Sequence, residues 1–398
     1  MAKNPNFDVI IIGSGPGGST VAKELALRGL RPLVLEWGDN APLTGTFSNM
    51  AKIAGIPGKG LFIGRDASLL LRGITTGGSS TVNYATAIPP PAAMFETHGI
   101  DLSQEIIEVR NEIPVAPLPD ALIGPMAKKI MHSAHSLGYT WQKLDKMIYT
   151  EKCRTHCWRC TYGCPFGAKW NARYFLDDAV AHGAQLITKA KAKKIIIQDH
   201  RAIGVEYICN GNTHQAFADK IIVSAGGLGT PKILAAAGIQ NTGKNYFVDP
   251  VVAVMGSING LDAGREVPMA AGLHLADDGI MLADMILPKP LFQAFALQVG
   301  RLDRIFSHAN TLTIMVKAKD QLSGRMGRYW PNKKLSAEDK DKLNKGTKIA
   351  TEILAHAGAF PHLSRQHFEH PELVGDAGAG DRPDCAEVWR KRSGQHHD

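Results

Sequence analysis

A chain of 398 residues with 44% hydrophobic and 21% charged side chains can bury one large core or two intertwined ones, which excludes global disorder. The net charge of +8 is scattered apart from Lys189, Lys191, Lys193 and Lys194, so neither a basic helix nor a stacking platform points to a nucleic acid partner. No apolar run approaches the roughly 20 residues that span a bilayer, so no transmembrane segment is expected.

Met1 to Asp8 lacks the basic and apolar regions of a secretory leader, and the expected location is cytoplasmic. Phe7 to Ile12 (FDVIII) is a β-branched run suited to a strand buried on both faces. It leads without a gap into Gly13-Ser14-Gly15-Pro16-Gly17-Gly18 and a predicted helix from Ser19 to Arg28 that stops at Gly29. Gly13 permits the tight turn, Gly15 lets backbone approach a pyrophosphate, and Gly18 lets the helix pack on the strand. The free amides and positive dipole end of that helix face the phosphates. A second strand, Pro32 to Leu35, ends at Glu36 and Trp37, where the carboxylate can accept hydrogen bonds from both ribose hydroxyls of an adenosine. Strand, glycine turn, helix and acid in this order predict a dinucleotide-binding β-α-β unit.

Arg72 to Tyr84 (RGITTGGSSTVNY) is rich in glycine and hydroxyls and could lay backbone donors along a cofactor. Cys153, Cys157, Cys160 and Cys164 follow in a C-x3-C-x2-C-x3-C run with Pro165 after it. Thiolates at this spacing can wrap an iron-sulfur cluster, hold zinc with His156 as a spare ligand, or remain thiols or disulfides in a structural loop. Ala184 to Val223 predicts strands with a hairpin at Asp199 and His200, and Ile221 to Ile239 predicts a strand, then a helix with Thr230 as N-cap and Pro231 at the first helical position. Ala253 to Leu312 alternates apolar and polar residues in places, as sheet strands beneath a substrate pocket would, and Met285 to Val299 is apolar enough for a buried core segment, the cover of a greasy substrate or contact with a membrane surface. Ser336 to Ala357 predicts a helix capped by Ser336 and ended by Gly358, after which come His362, His367 and His370-Pro371.

The chain resembles the glucose-methanol-choline (GMC) family of FAD oxidoreductases, including its long-chain alcohol oxidase-like members. Gly77, Gly78, Ser79, Ser80 and Asn83 fall on the family's loop beside the flavin, and Ile221 to Ile239 on its second signature, with Ala225 and Gly226 in the Ala-Gly pair. The resemblance implies FAD as cofactor, with Gly13, Ser14, Gly15, Gly18, Glu36, Trp37 and the two signature segments around it and backbone near Ala192 facing the adenine. It implies hydride transfer from the CH-OH group of an alcohol, expected to be apolar, to flavin N5, with an acceptor other than NAD. It also implies a histidine base near the C-terminus, for which His370, and then His367, are the candidates. The family's glycine-rich continuation, closing flavin loop and second catalytic residue are not found after them. Natural truncation, a shifted reading frame or completion by a partner chain stay open, as does a flavoprotein subunit or degenerate FAD-binding protein without turnover of its own. An iron-sulfur cluster at the four cysteines would offer electrons an exit toward a redox partner protein.

The expected fold class is α/β. A Rossmann-type FAD-binding domain is assigned to residues 1–90 and 152–245, and an α+β substrate domain built on an antiparallel sheet to 91–151 and 246–360. A polar tail, 361–398, is expected to lack order.

Overall fold

The computed structural model describes residues 7–63, 69–298, 300–327, 331–361 and 374–376. Helices α1 (Pro16–Leu27), α2 (Pro125–Ser136), α3 (Arg173–Ala181), α4 (Gly226–Ala236) and α5 (Ala337–His356) pack on two six-stranded sheets. The first sheet contains β1 (Phe7–Ile12), β2 (Pro32–Leu35), β3 (Gln185–Ile187), β4 (Ala190–Gln198), β5 (Arg201–Cys209) and β6 (Asn212–Val223), in the order β3-β2-β1-β6-β5-β4. Its centre is parallel: β1 pairs with both β2 and β6 in that sense, and β3 continues it beyond β2. Val9 to Ile12 are buried because helices cover both faces there. Ala22 and Ala26 of α1 meet Leu176 and Ala179 of α3 on one face, while Ile233 of α4 packs on the other. β4, β5 and β6 form an antiparallel meander, and the first hairpin turns through Asp199 and His200, both with positive φ (49° and 61°), as a two-residue primed turn requires.

The second sheet is antiparallel and contains β7 (Val251–Ser257), β8 (Ala271–Leu275), β9 (Ile280–Asp284) and β10 (Thr311–Ala318). The short strands Gln142–Lys143 and Phe360–Pro361 extend it beside β8 and β7. Alternation along β10 divides the core into two sides. Leu312, Ile314 and Val316 pack with Ile130 of α2 and with Ala350, Ile353 and Leu354 of α5. Met315 faces the other way, into a cluster with Met269, Met281, Met285, Leu287 and Phe292 that also touches Tyr84. This second side therefore reaches the glycine and hydroxyl-rich segment. Met285, Leu287 and Phe292 are buried, so the first part of the apolar stretch that begins at Met285 belongs to the core, whereas Leu297 is exposed.

Helix α5 starts as expected: Ser336 Oγ accepts from Asp339 N at 3.0 Å and the Asp339 carboxylate accepts from Ser336 N at 2.9 Å. Two other helix starts differ from expectation. α1 begins at Pro16 rather than Ser19, because proline at the first helical position lacks only an amide that would have no partner there. α4 begins at Gly226, so Thr230 and Pro231 lie inside the helix and are not its N-cap and first residue. Gly226, at φ 71°, turns the chain out of β6 directly into the helix, which then forgoes one bond at Pro231. In the tail expected to lack order, Val374–Asp376 runs parallel to Leu69–Leu71. No helix among the described residues is long and apolar enough to cross a membrane.

Candidate functional site

Three segments far apart in sequence meet at the mouth of α1. A β-carbon on Gly13 would lie 2.4 Å from Ser224 O and one on Gly18 2.0 Å from Gly13 O, so these two glycines are needed for the chain's own close packing. Ser224 N donates to Ile12 O at 2.8 Å, which brings Ala225 and Gly226 beside the turn. Gly78 comes from the other direction, and a β-carbon there would stand 2.8 Å from Gly15 Cα. Gly15 and Gly226 behave differently: a β-carbon on either would meet nothing within 4 Å. Gly15 is also the N-cap of α1 and supplies no side-chain cap. The first-turn amides of α1 thus open on free space, the arrangement that receives a phosphate.

Glu36 closes one end of this space. Its carboxylate accepts from Ser14 N (3.0 Å), Ser14 Oγ (2.7 Å) and Gly38 N (2.6 Å), and it is 6% exposed. Burial pushes its pKa up, while these donors and the Arg72 guanidinium pull it down. Both bonds from Ser14 fall on Oε2 and the one from Gly38 N on Oε1, leaving Oε1 the freer oxygen for a sugar hydroxyl. The next residue, Trp37, is half-buried with Lys191 Nζ 4.3 Å from its ring centre, and with Lys59 Nζ and Arg72 Cζ both at 5.5 Å. Ala190 N donates to Glu36 O at 2.8 Å, which starts β4 against this corner and sets Ala192 two residues along it.

The segment from Arg72 to Tyr84 is pinned at both ends. Thr75 Oγ1 and Thr76 N donate to Asp39 O, and Arg173 reaches in from α3 to Thr76 O (3.0 Å) and Thr75 Oγ1 (2.8 Å). Gly77 and Gly78 have φ of 79° and 56°, and Gly78–Thr81 then forms a 3-10 turn. Ser79 Oγ accepts from Gly73 N, and Ser80 Oγ donates to Gly77 O while accepting from Ala172 N. Thus the serines shape the loop's own backbone. Asn83 Oδ1 accepts from Ala85 N at 3.1 Å and from Lys169 Nζ at 3.2 Å. Lys169 Nζ also donates to Thr81 O and Asn83 O, at 2.9 and 2.8 Å. Lys146 donates to Tyr84 O, Thr86 Oγ1, Pro268 O and Met269 O. Both lysines are buried, and local sequence did not signal either of them, nor Arg72 or Arg173.

Cys153, Cys157, Cys160 and Cys164 line one small cavity, partly open to solvent, whose wall also includes Arg154, Arg159, Phe166 and Lys169. All four are unpaired thiols. Among the described residues no three metal-ligating side chains stand close enough together to hold a single ion, and His156 is not in the wall, so a zinc site with His156 in reserve is not formed. Burial and neighbouring thiols push the Cys153 thiol up to about 12. Burial raises Cys160 to about 11 against the pull of Lys169 and Lys146.

The model of GMC oxidoreductases matches residues 7–251, more than half the chain. The chain belongs to the GMC oxidoreductase family. An uncharacterised GMC-type oxidoreductase of Mycobacterium tuberculosis is 29% identical over 298 residues, which are 69% of this chain and 47% of the relative. Long-chain-alcohol oxidase FAO3 of Arabidopsis thaliana is 26% identical over 404 residues, 88% of this chain and 53% of the relative. This GMC chain therefore spans about half the length of these curated relatives. Among solved structures, pyridoxine 4-oxidase from Mesorbium loti overlays with a TM-score of 0.68 at 14% identity, covering 93% of this chain and 87% of that one. A variant of Aspergillus oryzae formate oxidase, solved to follow modification of its FAD, gives 0.66 at 17%, covering 93% and 85%. These likenesses are of fold.

The two residues expected to act as base in the GMC chain, His370 and His367, lie outside the described residues. On the methionine-rich side of the second sheet, His308 lines a small cavity with Met285, Leu287 and Phe292, its Nε2 2.8 Å from Leu287 O. Burial pushes its pKa down, toward the neutral ring. Sequence reasoning passed over this histidine because nothing beside it resembles a motif. Asp249 pairs with Lys317 at 2.5 Å.

Proposed function

We propose that this chain binds FAD and with it oxidises the CH-OH group of an alcohol, handing electrons to an acceptor other than NAD. The observation that carries the reading is the free space over Gly15 and Gly226 at the uncapped end of α1, closed by Glu36, because a diphosphate flanked by a ribose fits those donors and that acid. When bound, FAD supplies the hydride acceptor, flavin N5. The chain's own work is to hold and orient. Gly13, Ser14, Gly15 and Gly18 present backbone to the diphosphate, and Glu36 meets the ribose beside Trp37. Backbone near Ala192 faces the adenine. Gly77 to Ser80, Asn83, Ala225 and Gly226 follow the remainder of the cofactor. The proton of the substrate hydroxyl goes to His370, or to His367 in its place, as general base.

The methionine-rich cluster that reaches Tyr84 supports an apolar alcohol, since its flexible thioethers adapt to a chain without polar anchors. The name of the Arabidopsis relative agrees with that class. Four unpaired thiols support a reducing compartment, the cytoplasm, and an iron-sulfur cluster in the cavity they line would pass electrons on to a redox partner protein.

The test is the chromophore. Protein from a flavin-replete host is expected to release about one FAD per chain, and anaerobic addition of long-chain alcohols is expected to bleach its 450 nm band. A colourless protein that takes up no added FAD would refute the reading. Tight FAD with no bleaching by any alcohol, alone or with candidate partner chains, would leave a flavoprotein subunit without turnover of its own.

A further inference from the structure

The cysteine-lined cavity has a wall chemistry that narrows what it can hold. Cys153, Cys157, Cys160 and Cys164 contribute four sulfurs, and Arg154, Arg159 and Lys169 contribute three cationic side chains, with no carboxylate among the described lining residues. Behind this wall Lys146 is fully buried, and its ammonium is held by neutral oxygens, with the Cys160 thiol, the Asp284 carboxylate and the Cys153 thiol as its electrostatic neighbours. The Asp284 carboxylate offsets Lys146 from behind, but a wall of cations without acids repels any bare metal cation. The occupant must therefore be anionic as a whole and must use thiolates. The four cysteines line one cavity, yet among the described residues no three ligating side chains group closely enough to hold one ion, as the tight tetrahedron of zinc demands, with Zn–S at about 2.3 Å. A four-iron cluster keeps its cysteine sulfurs apart around an inorganic core and bears net negative charge with four thiolates.

We propose that Cys153, Cys157, Cys160 and Cys164 ligate one [4Fe-4S] cluster whose negative charge is balanced by Lys146, Lys169, Arg154 and Arg159. Lys169 joins this site to the other one, since its ammonium at the cavity wall donates to Thr81 O and to both oxygens of Asn83. A one-electron carrier here lets the two electrons of a substrate hydride leave singly toward a redox partner protein, with the proton released to solvent. That role rests on the flavin reading; occupancy by the cluster does not.

Anaerobically purified full chain is expected to contain iron and acid-labile sulfide in equal amounts, about four of each per chain, and to give an electron paramagnetic resonance signal after reduction with dithionite. Cys157→Ser, at a half-buried position, should lose the iron and sulfide while FAD content is unchanged. Arg159→Gln should keep the iron and lower the cluster's midpoint potential, because the reduced cluster loses a nearby positive charge. Stoichiometric zinc without sulfide, four thiols freely titratable in an iron-free protein, or iron unaffected by Cys157→Ser would each overturn the assignment. An unchanged potential in Arg159→Gln would overturn the charge balance. FAD is counted on the same samples, so a cluster without flavin would refute the proposed function and leave this inference standing.

Discussion

A β-carbon on Gly13 would press on Ser224 O at 2.4 Å in a backbone with φ 99°, whereas one on Gly15 would meet open space. Two alanine substitutions in one motif should therefore separate folding from binding. Gly13→Ala is expected to destabilise the protein even without cofactor by about 1–3 kcal/mol. Gly15→Ala should leave cofactor-free stability within about 0.5 kcal/mol of the parent and yet lose FAD, as thermal unfolding of deflavinated protein and flavin content on purification will report. Glu36→Gln tests the other end. Ser14 N, Ser14 Oγ and Gly38 N all point donors at the carboxylate, so an amide must turn its own donors toward at least one of them, at a cost of about 1–3 kcal/mol in FAD affinity measured by fluorescence titration. Glycines and acid were legible at this scale because each acts through its immediate chain neighbours. Lys146 and Lys169 were not, because the carbonyls that hold them lie 62 to 123 residues away.

At the scale of elements, the contrast is between helices capped locally and from afar. Ser336 begins α5 by bonding three residues ahead, and Ser336→Ala is expected to cost about 1 kcal/mol in chemical denaturation. α2 has Gly124 as N-cap and no side chain of its own there. Glu266 takes the place, accepting from Met126 N at 2.9 Å and from Ala127 N at 3.3 Å across 140 residues of sequence. Burial nevertheless pushes Glu266 up to about 7 from an ordinary 4.5. The folded state thus holds this proton more tightly than the unfolded chain. Its contribution to stability is complete below about 4.5 and is lost as pH rises through about 7, a difference on the order of 3 kcal/mol. Denaturation midpoints at pH 5 and pH 8 should show that loss in the parent and a smaller one in Glu266→Gln; equal slopes in the two proteins would refute the account. Only the Ser336 cap could be read from sequence.

Across the whole molecule, the cofactor would touch backbone from residues 13–18, 36, 77–83 and 224–226 at once. FAD should therefore stabilise the fold as a unit, by about 2.7 kcal/mol when free FAD is 100-fold above its Kd, seen as a single shifted unfolding transition. Two transitions, of which FAD moves only the first, would show that the sheets unfold independently. The glycine turn and the α5 cap were determined by sequence alone, since a turn's φ and a helix's first amides depend on residues within a few positions of each other. Where α4 begins, which oxygen of Glu36 is freer, and that the four thiols enclose a cavity with arginines and lysines about it were decided by tertiary structure. Those outcomes depend on burial and on partners brought together by packing, and the spacing of residues along the chain does not encode either.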